Sequence, residues 1–201
     1  MSRRPSGRSA SRRVAAGGAV LAVCAGAALV ALAAPPSAES GVAAFETVRA
    51  VLQHPRCQNC HIPGDAPLQL DDGRVHSLGV LRGPDGKGAV GLQCTTCHGE
   101  ANPPASYGAH IPPGAPGWRL PPPEHKMVFI GAKSGDLCRR LKDPRENGGK
   151  NLAALVDHVS RDKLVLWGWS PGVGRQPVSI THDRFVASFK QWVAAGAPCP
   201  P

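Results

Sequence analysis

Cys57-Gln58-Asn59-Cys60-His61 places two thiols and an imidazole within five residues, and Cys94-Thr95-Thr96-Cys97-His98 repeats the pattern 37 residues later. Both segments have the form Cys-x-x-Cys-His, and they are called the first motif and the second motif below. Since paired cysteines with a histidine are typical of sites that hold metals or metal-containing groups, we interpret the motifs as two copies of one kind of site. The rest of the chain is interpreted from what two such sites require.

Three chemistries use paired cysteines at this spacing. Two Cys-x-x-Cys pairs can supply four thiolates to zinc, although the 33 residues between Cys60 and Cys94 are a long gap for a zinc ribbon. One pair can catalyse thiol–disulfide exchange, but this normally involves a βαβ scaffold, and no strand-rich alternation surrounds either motif. Two thiols can also add to the vinyl groups of one haem, with the following histidine as iron ligand.

Only covalent haem attachment explains the two histidines. The chain has 8 histidines in 201 residues, so chance would place one after a given motif about one time in 25, and after both about one time in 600. We therefore predict two covalently bound haem c groups. The attachment residues are Cys57, Cys60, Cys94 and Cys97, and the proximal iron ligands are His61 and His98.

The N-terminal 34 residues have the composition of an export signal. Five arginines lie within the first thirteen residues, an uncharged run rich in Ala, Val and Leu follows, and Ala31-Leu32-Ala33 offers a cleavage site of small residues. We predict that residues 1–34 are a signal peptide and that residues 35–201 form one dihaem domain in the periplasm. A retained membrane tether is the alternative, since the apolar run is long enough for a span.

The composition favours short helices and long loops. Hydrophobic residues make up 42% of the chain and aromatic residues 4%, with 24 Gly and 21 Pro. Two porphyrins would supply the bulky apolar groups that a chain with so few aromatic side chains lacks.

Without the five signal arginines the net charge falls to +4. Lys and Arg are not clustered with aromatic residues, so we expect no nucleic-acid partner, and no membrane span after signal cleavage.

Apolar residues recur at helical spacing at both ends of the predicted domain. In an N-terminal helix at about 43–53, the apolar face consists of Phe45, Val48, Val51 and Leu52. In a C-terminal helix at about 183–195, it consists of Phe185, Phe189, Trp192 and Val193. This pattern resembles that of the c-type cytochromes, whose terminal helices cross beside the haem. The resemblance implies a mostly α, cytochrome c-like fold, with short helices and long Pro/Gly-rich loops wrapped around two covalent haems.

Between the terminal helices, the sequence predicts loops and two short helices. The segments 63–93 and 101–125 are rich in Pro, Gly and turn sequences and predict irregular structure. Ser134 can cap a helix that carries Leu137, Cys138 and Leu141, and Asn151 can cap the next helix.

Five segments resemble a family of small exported dihaem proteins labelled isoquinoline 1-oxidoreductase subunits. They are HPRCQNCH (54–61), RGPDGKGAVGLQCTTCHG (82–99), LCRRLKDPRENGG (137–149), WGWSPGVGR (167–175) and WVAAGAPCP (192–200). The resemblance implies a cytochrome subunit that takes electrons from a molybdenum hydroxylase of the aldehyde- or isoquinoline-oxidising type. No segment resembles a molybdopterin or iron–sulfur site, so we expect an electron carrier and not the hydroxylating enzyme.

The sixth iron ligands are less constrained by the sequence. A methionine raises the reduction potential and a second histidine lowers it. Met127 follows a proline-rich segment, RLPPPEHK, similar to those that carry the distal methionine of c-type cytochromes, and it is our candidate for one haem, with His125 as the alternative. His76, in the loop between the motifs, is the first candidate for the other haem, with His54 and His110 as alternatives.

Other polar and aromatic side chains receive a structural interpretation. His158 lies at the edge of an apolar helical face and His182 in a helical N-terminal turn, so we expect surface or capping histidines. Trp167 and Trp169 are expected to pack against a haem. Three arginines are candidates to neutralise haem propionates, and the sequence does not choose among them: Arg82, Arg119 and Arg175.

Cys138 and Cys199 remain once the motif cysteines and Cys24, in the predicted signal, are set aside. In an oxidising compartment these two thiols can form a disulfide that closes a 60-residue loop. We predict this disulfide.

The sequence thus predicts a periplasmic dihaem c-type cytochrome that carries electrons between a donor dehydrogenase and a terminal acceptor. A haem enzyme such as a dihaem peroxidase is the alternative from another class; it needs one iron without a protein sixth ligand, and no distal acid–base constellation is evident. A four-Cys zinc module is the second alternative, and that protein would be colourless.

Overall fold

The computed structural model describes residues 36–201, so the predicted signal peptide lies outside the described residues. In this part of the chain the fold is mostly helical. The helices are α1 (Ala38–Leu52), α2 (Pro55–Gln58), α3 (Ser134–Lys142), α4 (Pro144–Asn147), α5 (Leu152–Arg161), α6 (Lys163–Leu166) and α7 (His182–Ala194). Of these, α1 has 15 residues, and none of the helices described has both the length and the apolar character needed to cross a membrane.

The segment between the motifs contains two small hairpins where the sequence predicted only loop. Their strands are β1 (Leu68–Gln69), β2 (Arg74–Val75), β3 (Gly88–Ala89) and β4 (Leu92–Gln93). The pairs are antiparallel, with Leu68 opposite Val75 and Gly88 opposite Gln93. Two-residue strands fall below the length at which alternating hydrophobicity is detectable. The second hairpin matters for the site, since β4 ends directly before the second motif.

Helix α1 begins at Ala38 and not near residue 43. The hydroxyl of Ser37 accepts a hydrogen bond from the Ser40 amide at 3.2 Å and so caps the helix. The predicted start near residue 43 did not take this cap into account. At the other end, His54 caps the short helix α2 directly, so the first motif follows α1 with almost no intervening loop.

Helices α1 and α7 pack against each other through aromatic side chains and one glycine. The rings of Phe45 and Trp192 are 5.2 Å apart, and Trp192 is fully buried. A Cβ atom on Gly41 would lie 2.6 Å from the Cβ of Ala195 and 2.7 Å from the Cγ of Pro198. These distances are shorter than van der Waals contact, so the approach of the two helices requires glycine at position 41.

Replacing Gly41 by alanine is expected to lower the free energy of unfolding by about 1–3 kcal/mol, which is the usual cost of overpacking. Alanine favours helix by about 1 kcal/mol, so a rise in stability would contradict the close approach. Urea denaturation of the purified protein measures the change. The matched control is Ala43→Ser, at an exposed position of the same helix, where a change within about 0.5 kcal/mol is expected.

The core is built by one face each of α1, α3, α5 and α7. Its buried members include Phe45, Val48, Leu137, Leu155, Phe189 and Trp192. Asn151 caps α5 as predicted, since its Oδ1 accepts from the Ala154 amide at 2.8 Å. The predicted Ser134 cap is wrong: Lys133 stands at the cap position of α3 without a side-chain bond, and the Ser134 hydroxyl donates to the Glu46 carboxylate on α1. Ser134 is already the first helical residue, and the extended cap position falls on Lys133, one residue earlier.

Cys138 and Cys199 are joined by a disulfide, with an S–S distance of 2.04 Å and Cα atoms 5.5 Å apart. Cys138 lies on α3 and is fully buried, whereas Cys199 lies in the segment that follows α7. The bond therefore ties the C-terminal segment to the core. The Trp192 indole donates to the Pro198 carbonyl at 2.9 Å, which fixes the same segment a second time.

Replacing both Cys138 and Cys199 by alanine is expected to lower the free energy of unfolding by about 2–4 kcal/mol, because the unfolded chain regains the freedom of the closed loop. Denaturant titration without reductant gives the difference. Reductant should destabilise the native chain and leave the double variant unchanged. Equal midpoints for both proteins in oxidising buffer would contradict the prediction.

Candidate haem-binding site

The first motif is held on one tight turn. Helix α2 begins at Pro55, with His54 as cap, its Nδ1 accepting from the Arg56 amide at 3.2 Å. The amides of Cys60 and His61 both donate to the Cys57 carbonyl at 3.2 Å. This turn brings the two thiols and the imidazole of the motif to neighbouring positions.

The motif cysteines form no disulfide, and burial favours the protonated thiols in the first motif. All four motif cysteines lack a disulfide, in contrast to Cys138 and Cys199. Burial raises the pKa of Cys57 to about 12 and that of Cys60 to about 11. Thiol–disulfide exchange requires a lowered pKa in one thiol, so the surroundings of the first motif do not favour that chemistry.

One ring nitrogen of His61 forms a hydrogen bond, and the other is free to bind a metal. Its Nδ1 lies 2.8 Å from the Met127 carbonyl oxygen, which can only accept, so Nδ1 carries the hydrogen and Nε2 keeps its lone pair. The ring stacks on Phe129, with centroids 3.8 Å apart. Burial lowers the pKa of His61 to about 4. At neutral pH the ring is therefore neutral, which is the form that binds a metal.

The second motif repeats this arrangement on different local structure. A 3-10 turn, Cys94–Thr96, follows β4, and the His98 amide donates to the Cys94 carbonyl at 2.9 Å. The Nδ1 of His98 lies 2.7 Å from the Pro113 carbonyl, and the ring stacks on Trp118 at 4.3 Å. Burial lowers the pKa of His98. Both motif histidines thus offer Nε2 from a neutral ring backed by an aromatic side chain.

A glycine turn positions the second motif. Gly86 has φ +82, and a Cβ there would lie 2.1 Å from the Leu120 carbonyl oxygen. Its own carbonyl accepts from the Leu120 amide at 2.8 Å and lies 3.9 Å from the Sγ of Cys94. The second hairpin is also tied to the segment after the first motif, since the Arg82 carbonyl accepts from the Gly88 amide at 2.9 Å and the Arg82 guanidinium donates to the carbonyls of Ile62 and Gly64.

Met127 contacts His61 from the side opposite to the free ring nitrogen. Its carbonyl binds Nδ1, its side chain is buried in the hydrophobic core, and its φ is +46. Because Nδ1 and Nε2 lie on different edges of the imidazole, the backbone of Met127 lies behind the ring. The structure brings these two residues together, but it does not place Met127 in front of the nitrogen that would bind iron.

His76 lies beside His98. Their ring centroids are 6.1 Å apart, and the ring planes are inclined by 65°. The Nδ1 of His76 lies 2.9 Å from the Ser77 carbonyl, so this ring also keeps its hydrogen on Nδ1. Among the hydrogen bonds of residues 36–201, the Nε2 atoms of His76 and His98 have no partner.

The alternative distal histidines have other surroundings. His54 caps α2, His110 is exposed with φ +62, and His125 is bound through Nδ1 to the Arg145 carbonyl at 2.8 Å. The structure brings none of these three rings against a motif histidine in a ring–ring contact within the described residues.

His158 and His182 lie where the sequence placed them, His158 partly exposed on α5 and His182 in the first turn of α7. The Nδ1 of His158 lies 3.2 Å from the Asp162 carboxylate. Thr181, not His182, caps α7. The Nε2 of His182 lies 2.9 Å from the Val159 carbonyl, and its ring packs on Trp169.

A buried arginine that the sequence analysis missed lies beside the first motif. The side chain of Arg56 is 2% exposed and pairs with Asp71 at 2.6 Å, yet its Nε has no hydrogen-bond partner. The three arginines that the sequence suggested for propionates have other surroundings. Arg82 donates to the carbonyls of Ile62 and Gly64, Arg119 is exposed, and Arg175 donates to the Ile111 carbonyl. The position of Arg56 directly before Cys57 was the feature of the sequence that could have identified it.

The surroundings of the motifs fit a large apolar group with carboxylates. The large hydrophobic side chains left exposed are Val75, Leu78, Leu81, Val90, Tyr107, Ile111 and Val173, and all except the last lie in the segment that surrounds the second motif. A porphyrin face would cover such side chains. The unpartnered Nε of Arg56 suits a propionate, because a buried guanidinium nitrogen needs an acceptor.

Trp118 and Trp167 connect the second motif to Arg56. Their rings meet edge to face at 4.9 Å, and the Arg56 guanidinium lies 5.7 Å above the Trp167 ring.

In the part of the chain that the structure describes, no group of three or more His, Cys, Asp or Glu side chains is arranged to hold a metal ion. Comparison with known proteins finds no family model, no curated protein and no solved structure that matches this chain.

Proposed function

We propose that this chain is a dihaem c-type cytochrome that carries electrons in the periplasm, with one haem attached at each motif. The observation that supports it best is the repeated geometry of the motif histidines. His61 and His98 each have Nδ1 bound to a backbone carbonyl and a stacked aromatic ring behind them. Two segments with different local structure share this arrangement, as one common cofactor would require.

The protein would supply attachment, orientation and burial. The motif thiols would anchor the group covalently, and the carbonyl on each Nδ1 would fix the tautomer and raise the basicity of Nε2. Haem, when bound, supplies an iron that takes up and releases one electron. Arg82 links the segment after the first motif to the hairpin before the second motif, which favours two adjacent groups, and a short separation is what an electron relay needs.

The cytochrome c-like fold is part of the proposal. The first motif directly follows α1, and α1 packs on the C-terminal helix α7 through Gly41, Phe45 and Trp192. This agrees with the resemblance that the terminal helices suggested. The resemblance of the five quoted segments further supports a role as subunit or acceptor of a molybdenum hydroxylase-type dehydrogenase of the isoquinoline or aldehyde oxidoreductase class.

The first test is a pyridine haemochrome spectrum together with the intact mass of the denatured protein. The chain is expressed with its own N-terminal segment and the haem-attachment machinery. A c-type spectrum and a mass increase of two haems per chain are expected. A colourless protein, or one that contains zinc and no haem, would overturn the proposal in favour of the four-Cys metal site.

Peroxide distinguishes the relay from a haem enzyme. A pure electron carrier is expected to turn over hydrogen peroxide no faster than free haem does. Turnover well above that level would support the dihaem peroxidase alternative. Periplasmic location is tested separately by cell fractionation, in which the red protein should be released with the periplasmic contents.

A further inference from the structure

We propose that Arg82 and Lys126 form, together with Asp65, a fixed cationic cluster that raises the reduction potential of the first haem. The inference rests on the proposed function, because it concerns a haem that the first motif would hold. It gives the two cations a role that needs no contact with the haem. It also gives Arg82 a function other than pairing with a propionate, which the sequence suggested for it.

Arg82 carries a buried charge that its partners do not cancel. Its side chain is 1% exposed, and its Nε lies 3.3 Å from the Asp65 carboxylate. The guanidinium donates to the carbonyls of Ile62 at 3.2 Å and Gly64 at 2.9 Å, and also to the Pro121 carbonyl. These three carbonyls satisfy N–H groups but are neutral. Because a guanidinium does not lose its proton in proteins, the charge is permanent.

Lys126 adds a second cation at the same segment. Its Nζ donates to the Pro63 carbonyl at 3.0 Å and lies 3.0 Å from the Asp65 carboxylate. The carbonyls of residues 62–64, which directly follow His61, therefore all accept hydrogen bonds from cationic side chains. A segment whose successive carbonyls all bind cations places positive charge at one end of the first motif.

The cluster has more positive than negative charge, and its positive charge is the better buried. Among the ion pairs of residues 36–201, Asp65 is the only acidic partner of Arg82 and of Lys126, so two cations share one carboxylate. The Asp65 side chain is 58% exposed, whereas that of Lys126 is 27% exposed. Water screens an exposed charge much more than a buried one. The interior beside the cluster is therefore at a positive potential.

Both cations are attached to backbone that borders His61. Ile62, whose carbonyl accepts from Arg82, is the next residue after His61. Lys126 directly precedes Met127, whose carbonyl lies 2.8 Å from Nδ1 of His61. The hydrogen bonds of the cluster thus hold its charge in place on two segments that meet at the imidazole of the first motif.

The sign of the effect follows from the charge of the iron. Oxidised haem iron carries one more positive charge than reduced iron. A fixed positive charge nearby therefore destabilises the oxidised form more than the reduced form, and the reduction potential rises. Burial strengthens this interaction, because charges interact more strongly where the dielectric constant is low.

The test uses two variants that break the same ion pair and change the charge in opposite directions. Potentiometric titration of the purified protein with both haems attached gives the two reduction potentials. Lys126→Gln removes a positive charge and is expected to lower one of them. Asp65→Asn removes the negative charge and is expected to raise the same one. Loss of the ion pair as a structural contact would instead move the potential in the same direction in both variants.

Three further measurements assign the shift. Lys126→Arg keeps the charge and is expected to leave both potentials near their native values. Arg139→Gln is the matched control, since its guanidinium is 60% exposed and pairs with Asp136 on α3, and no shift is expected. In the variant Cys94→Ala, Cys97→Ala, which would carry only the first haem, Lys126→Gln is expected to lower the single remaining potential.

Arg82→Gln is expected to lower the same potential by more than Lys126→Gln does, because the Arg82 charge is more deeply buried. The Lys126 and Asp65 variants keep the inference testable if Arg82→Gln does not fold. Shifts in the same direction in Lys126→Gln and Asp65→Asn, or no shift in either, would overturn the inference. A native protein without covalent haem would overturn the proposed function itself, which the haem content reveals before any potential is measured.

Discussion

Under the proposed function, the variant Cys94→Ala, Cys97→Ala is expected to carry one covalently bound haem instead of two. The thiols of the second motif would be the covalent attachment points of one haem, so their removal would leave His98 to hold that haem by coordination alone. The intact mass of the denatured protein should fall by one haem, and the haemochrome absorbance per chain should fall by half. The complementary variant Cys57→Ala, Cys60→Ala should lose the other haem with the same change in mass.

The cysteines outside the motifs provide the control. Cys138→Ala, Cys199→Ala removes as many thiols, but these residues form the disulfide, so two haems per chain are expected. Two haems in the second-motif variant, or a haem lost from this control, would contradict the assignment of cysteines to the haems.

Trp192→Ala is expected to lower the free energy of unfolding by about 3–5 kcal/mol, the usual effect of removing a fully buried large aromatic side chain. The indole contacts Phe45 and Phe189 with ring centroids 5.2 Å away in each case, and it donates to the Pro198 carbonyl. The variant thus creates a cavity between α1 and α7 and leaves a partly buried carbonyl without its donor. Guanidinium or urea titration of the protein with both haems attached measures the effect.

Two further variants decide whether packing causes this loss. Tyr107→Ala removes an aromatic ring that is 68% exposed, so a change within about 0.5 kcal/mol is expected. Trp192→Phe keeps an aromatic ring but loses the indole donor, so an intermediate loss is expected. If Trp192→Ala behaved like the Tyr107 control, the described contact between the two helices would not be a main source of stability.

Features of the fold that follow from helical periodicity or from one neighbouring amide were predictable from the sequence. The choice between possible cap residues was not. The apolar faces of α1 and α7 follow helical periodicity, and the Asn151 cap needs only a neighbouring amide. The start of α1 was missed because a serine cap, and not an apolar residue, determines it. The Ser134 cap was wrong because the helix begins one residue earlier than expected, with Lys133 at the cap position.

The same distinction applies to the candidate site. The motif residues are adjacent in sequence, so their grouping could be predicted from spacing alone. A distal ligand must instead come from a distant segment, and which side of the ring it approaches depends on tertiary packing. Met127 was therefore judged by the proline-rich sequence before it, which carries no information on the side from which the residue approaches His61.

The single disulfide has a consequence for how the chain matures. The described residues contain six cysteines, and six thiols can pair in 15 ways. In the structure, one pair of cysteines that are distant in sequence forms a disulfide, and the four motif thiols are reduced. The two Cys-x-x-Cys pairs are the fastest to close on an unfolded chain, because short loops form readily. Under the proposed function, maturation would be a kinetic competition, in which haem must bind the motif thiols before they are oxidised, while Cys138 still pairs with Cys199.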